Sequence, residues 1–156
     1  MAFLRFLMLL SLIVWLGGVI FFAVLAPTLF SVLPTRHLAG SVVAPMLTKL
    51  HWMGIVSGIT FLISSMIYSR SATGVAQPFA LRHLLIYAML ALTIISQFGI
   101  SPKMAVLRAA MGNIDSVAIT DTARVQFNAL HAWSTRLESG VLLLGLAVVY
   151  LTARRF

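Results

Sequence analysis

The sequence predicts an all-α integral membrane protein, with four transmembrane helices in an antiparallel bundle. Three observations carry this. Apolar residues make up 61% of the 156-residue chain, charged residues only 9%, and mean hydropathy is +1.05. A soluble domain normally carries about 25% charged residues. The apolar residues fall into four long charge-free windows, Phe6–Thr35, Leu50–Ser69, His83–Pro102 and Ser139–Ala153. Finally, basic residues punctuate these windows: Arg5, Arg36, Lys49, Arg70, Arg82, Lys103, Arg108, Arg124, Arg154 and Arg155.

A helix needs roughly 20 residues to cross the hydrocarbon. The first window exceeds that length, and the next two fit it. The predicted spans are about 6–33, 47–69, 81–102 and 126–153, in a single transmembrane domain. Pro27 falls near the end of the first span, where it leaves the Ala23 carbonyl without a helical partner. An uncharged stretch this long, with Pro27 directly after the only small-residue cleavage candidate at Ala26, reads as a retained helix rather than a signal peptide. The fourth window holds only 15 residues between Glu138 and Arg154. The helix must therefore begin earlier, which draws Glu138 into the hydrocarbon.

Between the spans, Pro34, Gly40 and Pro45 mark a turn before the second helix, and Arg70–Leu81 reads as a short polar loop. Lys103–Met111 continues with helical spacing; Gly112-Asn113 ends it, and Asp115 or Asp121 caps the next helix. Four spans place both termini on one side. The basic flanks divide evenly between the two sides, and the acid-free short loop and tail lean the termini toward the cytoplasm, with a bacterial inner membrane as the expected location.

The formal charge of +8 does not point to nucleic acid, because the cations sit at span ends, where they meet lipid phosphates. Cysteine is absent, which excludes thiolate metal sites and cysteine nucleophiles. With only Asp115, Asp121 and Glu138 as acids, and no phosphate loop, nucleophile elbow or zinc-binding histidine pair, a paired-carboxylate mechanism is not indicated, and a membrane redox enzyme, which needs a bound cofactor, ranks last among the readings.

Two patterns remain. Gly54-x-x-x-Gly58 in the second helix and Gly17-Gly18 in the first offer smooth faces for close helix packing, within the bundle or in a homo-oligomer. In the fourth helix, Arg124, Phe127, His131, Ser134 and Glu138 recur at spacings of three and four, forming one polar face. His51 and Gln97 lie on the same side of the membrane. The expectation is an interior cluster of His51, Gln97, His131 and Glu138, with Arg124 and Ser134 at its mouth. His37 falls in a polar turn, and His83, beside Arg82, is expected at the headgroup level. Ionisable groups inside a membrane are costly and face the bundle interior or a wet cavity. Neutral imidazoles suit a divalent transition metal or haem iron, and Glu138 suits charge neutralisation or proton relay. The cluster therefore reads as a site for a metal ion, haem or a small polar solute. The alternative is a hydrogen-bonded brace in a structural subunit of a larger membrane complex.

The segments Trp15-Leu16-Gly17-Gly18, Ala26-Pro27-Thr28-Leu29-Phe30, Leu38-Ala39-Gly40 and Arg124-x-x-Phe127-x-x-Leu130-His131-x-x-Ser134 resemble the family of small four-helix membrane proteins that includes human transmembrane protein 205. The resemblance covers nearly the whole chain. It implies the four-helix architecture and transfers no catalytic residues. A more distant likeness, through the Trp-x-Gly-Gly segment, is to copper-resistance membrane proteins and a haem-containing protoporphyrinogen oxidase; here no histidine adjoins that segment in the first helix.

Overall fold

The computed structural model describes residues 1–154. Arg155, one of the basic flanking residues, lies outside the described residues. The chain is α-helical: α1 is Ala2–Val32, α2 Arg36–Thr73, α3 Leu81–Ile94, α4 Ser101–Met111 and α5 Thr122–Ala153. A π-helical segment, Ile95–Ile100, joins α3 to α4, so Leu81–Met111 runs as one rod. Among the described residues, four helices are therefore long and apolar enough to cross a membrane. A rise of 1.5 Å per residue makes the 31-residue α1 about 46 Å long, against roughly 30 Å of hydrocarbon. Every rod thus projects past the apolar layer.

Local chemistry sets the ends. Thr35 caps α2, its Oγ1 accepting from Leu38 N at 3.1 Å, so helix starts at Arg36 and carries Pro45 inside it. The turn expected to run up to the second span is confined to the residues around Pro34, which cannot continue α1. Gly74 closes α2 at φ 77°, a left-handed conformation that favours glycine. Gly112 ends α4 at φ 62°. Asp121 caps α5 through Oδ1, which accepts from Ala123 N at 2.9 Å.

The π-helical segment has its own cause. The ring of Pro102 would clash with the carbonyl of Phe98 four residues back and cannot donate to it. The backbone widens just before the proline, and Ser101 N–H reaches back to the Ser96 carbonyl.

The rods alternate in direction. α1 packs along α2, α2 against α3, α3 against α5, and α5 returns to α1, closing a four-membered ring; α4 continues along α5. The core is Met8, Leu12, Trp15, Leu16 and Val19 of α1 with Leu50, Phe61, Ile86, Met89, Val141 and Val148. Many large apolar side chains face outward instead, including Ile13, Phe21, Ile63, Phe98 and Leu143, as a lipid solvent requires.

Trp15, 2% exposed, fixes the α1–α2 spacing. Its indole lies over both Gly54 and Gly58; a methyl at Gly54 would come within 2.5 Å of Trp15 Nε1, and one at Gly58 within 2.7 Å of Trp15 Cζ3. A methyl at Gly18 would meet Leu50 Cδ1 at 2.9 Å. Gly17 differs from its expected packing role. It is exposed, with nothing within 4 Å of a built methyl, because successive helix residues point about 100° apart and only one glycine of the pair can face α2.

Candidate functional site

α2 places His51 at 1% exposure in the bundle interior, one residue beyond the core residue Leu50. Both of its ring nitrogens are engaged. Nδ1 lies 2.7 Å from Gln97 Oε1, and Nε2 lies 2.7 Å from Glu138 Oε1. Gln97 reaches His51 from the π-helical segment, and Glu138 from α5. Three of the four rods are therefore tied at one level. Glu138 retains 16% side-chain exposure. Ser134, one turn nearer the start of α5, is buried at 5%.

With the Gln97 carbonyl oxygen turned toward the ring, the geometry admits two neutral proton arrangements. In the first, His51 is an imidazolium that donates from Nδ1 to the Gln97 carbonyl and from Nε2 to the Glu138 carboxylate. In the second, Glu138 is protonated and donates to Nε2, while Nδ1–H still donates to Gln97. Both are neutral overall, and they differ by one proton moved along the Nε2–Oε1 line. Neutrality matters here, because a net charge in hydrocarbon costs several kcal/mol or more.

His131 does not join the trio. It is exposed, and its ring has no hydrogen-bond partner among the described residues. The reason is axial. The seven residues from His131 to Glu138 make nearly two whole turns, so the two share a face but stand about 10 Å apart along it. At that level α5 meets α4 instead, where the Arg108 guanidinium lies 5.4 Å from the centroid of the Phe127 ring and against Gly40. Arg124 is farther still, about 21 Å along the helix from Glu138. It donates to the Val117 carbonyl, tying down the loop before α5 rather than standing at the mouth of the trio.

A second buried histidine occupies the interior, in place of the expected headgroup position. His83 is 0% exposed, although it is the third residue of α3. Its Nδ1 lies 2.7 Å from the Gln77 carbonyl and its Nε2 2.7 Å from Ser65 Oγ. Beside it, Arg82 is 6% exposed and donates from Nη2 to Ser69 Oγ at 3.2 Å. The sequence signal for this burial is the run of serines in α2, Ser57, Ser64, Ser65 and Ser69, all buried in an otherwise apolar span. The π-helical segment that aims Gln97 has a weaker signal, Pro102.

The trio holds one imidazole, one carboxylate and one amide, and among the described residues no group of three or more His, Cys, Asp or Glu side chains converges on a point. No curated protein and no solved structure matches the chain. Residues 10–113, more than half of the chain, match a family described as a domain of unknown function, DUF4149; the match includes His51 and Gln97 and stops before Glu138. The chain belongs to the DUF4149 family, which includes small membrane proteins like transmembrane protein 205.

Proposed function

We propose that the protein is a non-catalytic membrane protein that binds a proton at the His51–Glu138 pair and couples it to a small polar or cationic solute. The carrying observation is the pair of 2.7 Å contacts that occupies both nitrogens of a buried imidazole, one of them against the carboxylate of a partly exposed Glu138. A cation arriving at Glu138 would displace that proton. The π-helical segment supports the reading, since π turns inside helices recur at functional sites.

Proton release from detergent-purified protein on addition of candidate cations, together with solute uptake into proteoliposomes under a pH gradient, tests this. Glu138→Gln should leave the bundle folded and abolish both signals. Wild-type protein silent in both assays, with Glu138 variants altered only in stability, leaves the trio as a brace between helices.

A divalent transition metal or haem at the same place would require His51 to give up one of its two hydrogen bonds, with Glu138 and Gln97 as its side-chain partners among the described residues. Metal analysis and an absorption spectrum of the purified protein decide that version.

The structural alternative has its own support. Between α1 and α5 an apolar cleft of about 350 Å³, lined by residues that include Leu9, Ile13, Leu16, Gly17 and Val149, has room for side chains of a helix from a partner subunit or a second copy. For orientation, we place the termini in the cytoplasm of a bacterial cell, across its inner membrane. Reporter fusions at Gly74 and Asn113 should then report cytoplasm and the opposite side respectively; the same compartment for both would sink the four-span arrangement.

A further inference from the structure

The end of the bundle opposite the termini holds a seated cation with no counter-charge. Arg108 of α4 is half-buried where α2, α4 and α5 meet. Its guanidinium lies 5.4 Å from the centroid of the buried Phe127 ring. Gly40 of α2 makes the room for it, since a methyl there would meet Arg108 Nη2 at 2.6 Å and Nη1 at 2.9 Å. Among the described residues no hydrogen-bond acceptor and no acid pairs with Arg108. Its nitrogens are not among the fully buried unpartnered atoms, so they stay open to the exterior.

The three acidic side chains are engaged elsewhere. Asp115 accepts from His37 N at 3.0 Å, Asp121 accepts from Ala123 N at 2.9 Å, and Glu138 holds His51. A partly desolvated cation without a partner is costly, and an anion beside it relieves that cost. One turn along α5 from Phe127, the exposed His131 ring lies within reach of the Arg108 charge and has no hydrogen-bond partner of its own.

Helical rise fixes the height of this group. From Phe127 to Arg154 the helix runs about 40 Å, against roughly 40–45 Å for a bilayer with both headgroup layers. Between them, the exposed Trp133 carries the Arg136 guanidinium 5.1 Å from its ring centroid, and tryptophans of this kind mark the membrane boundary. With the terminal end in one headgroup layer, Arg108 stands in the other, at the level of lipid phosphates. A guanidinium can donate to two phosphate oxygens at once, and an imidazole adds a donor from a second helix.

We propose that Arg108 and His131 form a binding site for a phosphate group, carried by a lipid headgroup or by a free phosphate ester. The site is separate from the His51 trio, about 16 Å from it along α2 by the eleven residues from Gly40 to His51.

The test uses the full chain. Inorganic phosphate is titrated into protein in uncharged detergent, and binding is read by phosphorus NMR line broadening. In parallel, the protein is reconstituted in phosphatidylcholine vesicles with and without phosphatidylglycerol, and lipid retention is read by native mass spectrometry. Arg108→Gln should weaken binding about tenfold, and His131→Ala about threefold. Gly40→Ala keeps every charge but drives the guanidinium from its seat, and should weaken binding about tenfold as well. The displaced group is the far end of a flexible side chain, and alanine is the better helix former, so Gly40→Ala should fold. It carries the test if Arg108→Gln fails to fold. Lys103→Gln, at an exposed position on the same end, should change nothing. Broadening by inorganic phosphate assigns a free ester; retention of phosphatidylglycerol without such broadening assigns a headgroup. Wild-type protein that binds neither probe, or a Gly40→Ala protein that binds as wild type does, overturns the proposal. Equal losses from Lys103→Gln and Arg108→Gln would reduce the effect to net charge and overturn it too.

Discussion

The two buried histidines stand at opposite ends of the same interface and are satisfied in different ways. At the terminal end, His83 faces a backbone carbonyl and a serine hydroxyl. A neutral ring with its proton on Nδ1 fits both, since the hydroxyl of Ser65 can donate to Nε2. At the far end, His51 faces two oxygens that both accept, unless Glu138 itself carries a proton. The first histidine can sit in its place without any charge. The second cannot be described without deciding where a proton lies. Burial alone therefore does not mark a functional histidine in a membrane; what marks it is a partner that can itself carry the shared proton, as Glu138 can and Ser65 cannot.

That contrast can be broken by removing partners. The largest effect is expected for Glu138→Leu, which strands His51 beside an apolar side chain and should cost about 3–5 kcal/mol, read as a fall in melting temperature in detergent. The double variant His51→Leu with Glu138→Leu should recover much of that loss, because no buried polar group is then left alone. If the double variant is as unstable as the sum of the singles, the pairing is not what holds the two helices. Next comes the glycine face. Gly54→Leu or Gly58→Leu must push the Trp15 indole out of its slot and should cost roughly 1–3 kcal/mol, whereas Gly17→Leu, facing open space, should leave the melt unchanged. Ser65→Ala probes the neutral histidine: it removes one hydrogen bond without stranding a charge, for a loss of about 1 kcal/mol. A loss from Ser65→Ala as large as that from Glu138→Leu would erase the distinction between the two ends. The smallest effect, within about 0.5 kcal/mol, is expected for His131→Ala, an exposed position outside the trio.

The trio's helical addresses are readable in the sequence because they come from arithmetic. Fifteen uncharged residues between Glu138 and Arg154 cannot span alone, so the carboxylate must enter the apolar layer, and helices of opposite direction bring His51 and Gln97 to its level. Helical spacing fails at His131 because it reports angle and not height. A residue seven positions away shares the face and still stands too far along the axis to touch. The start of a helix suggests a headgroup position for His83, yet α2 extends past it to Thr73 and covers it. Arg124 departs from its expected place for a related reason. Loop conformation decides what a long side chain can reach, and Val117 lies in a loop that helical periodicity says nothing about.

The pairing of Glu138 with His51 also bears on how the molecule is built. Ribosomes deliver α2 before α5, so His51 is already in the membrane when Glu138 emerges. An acidic side chain near the middle of an inserting helix adds about 2.5–3.5 kcal/mol to the cost of leaving water. α5 therefore enters the lipid reluctantly and becomes comfortable only once it docks on α2 and the π-helical segment. A newly made chain whose last helix has not found its place carries a solitary acid in the bilayer, and that acid favours retreat to the surface. Assembly of this bundle is thus biased toward completion, with the final helix held in place by a partner synthesised 87 residues earlier.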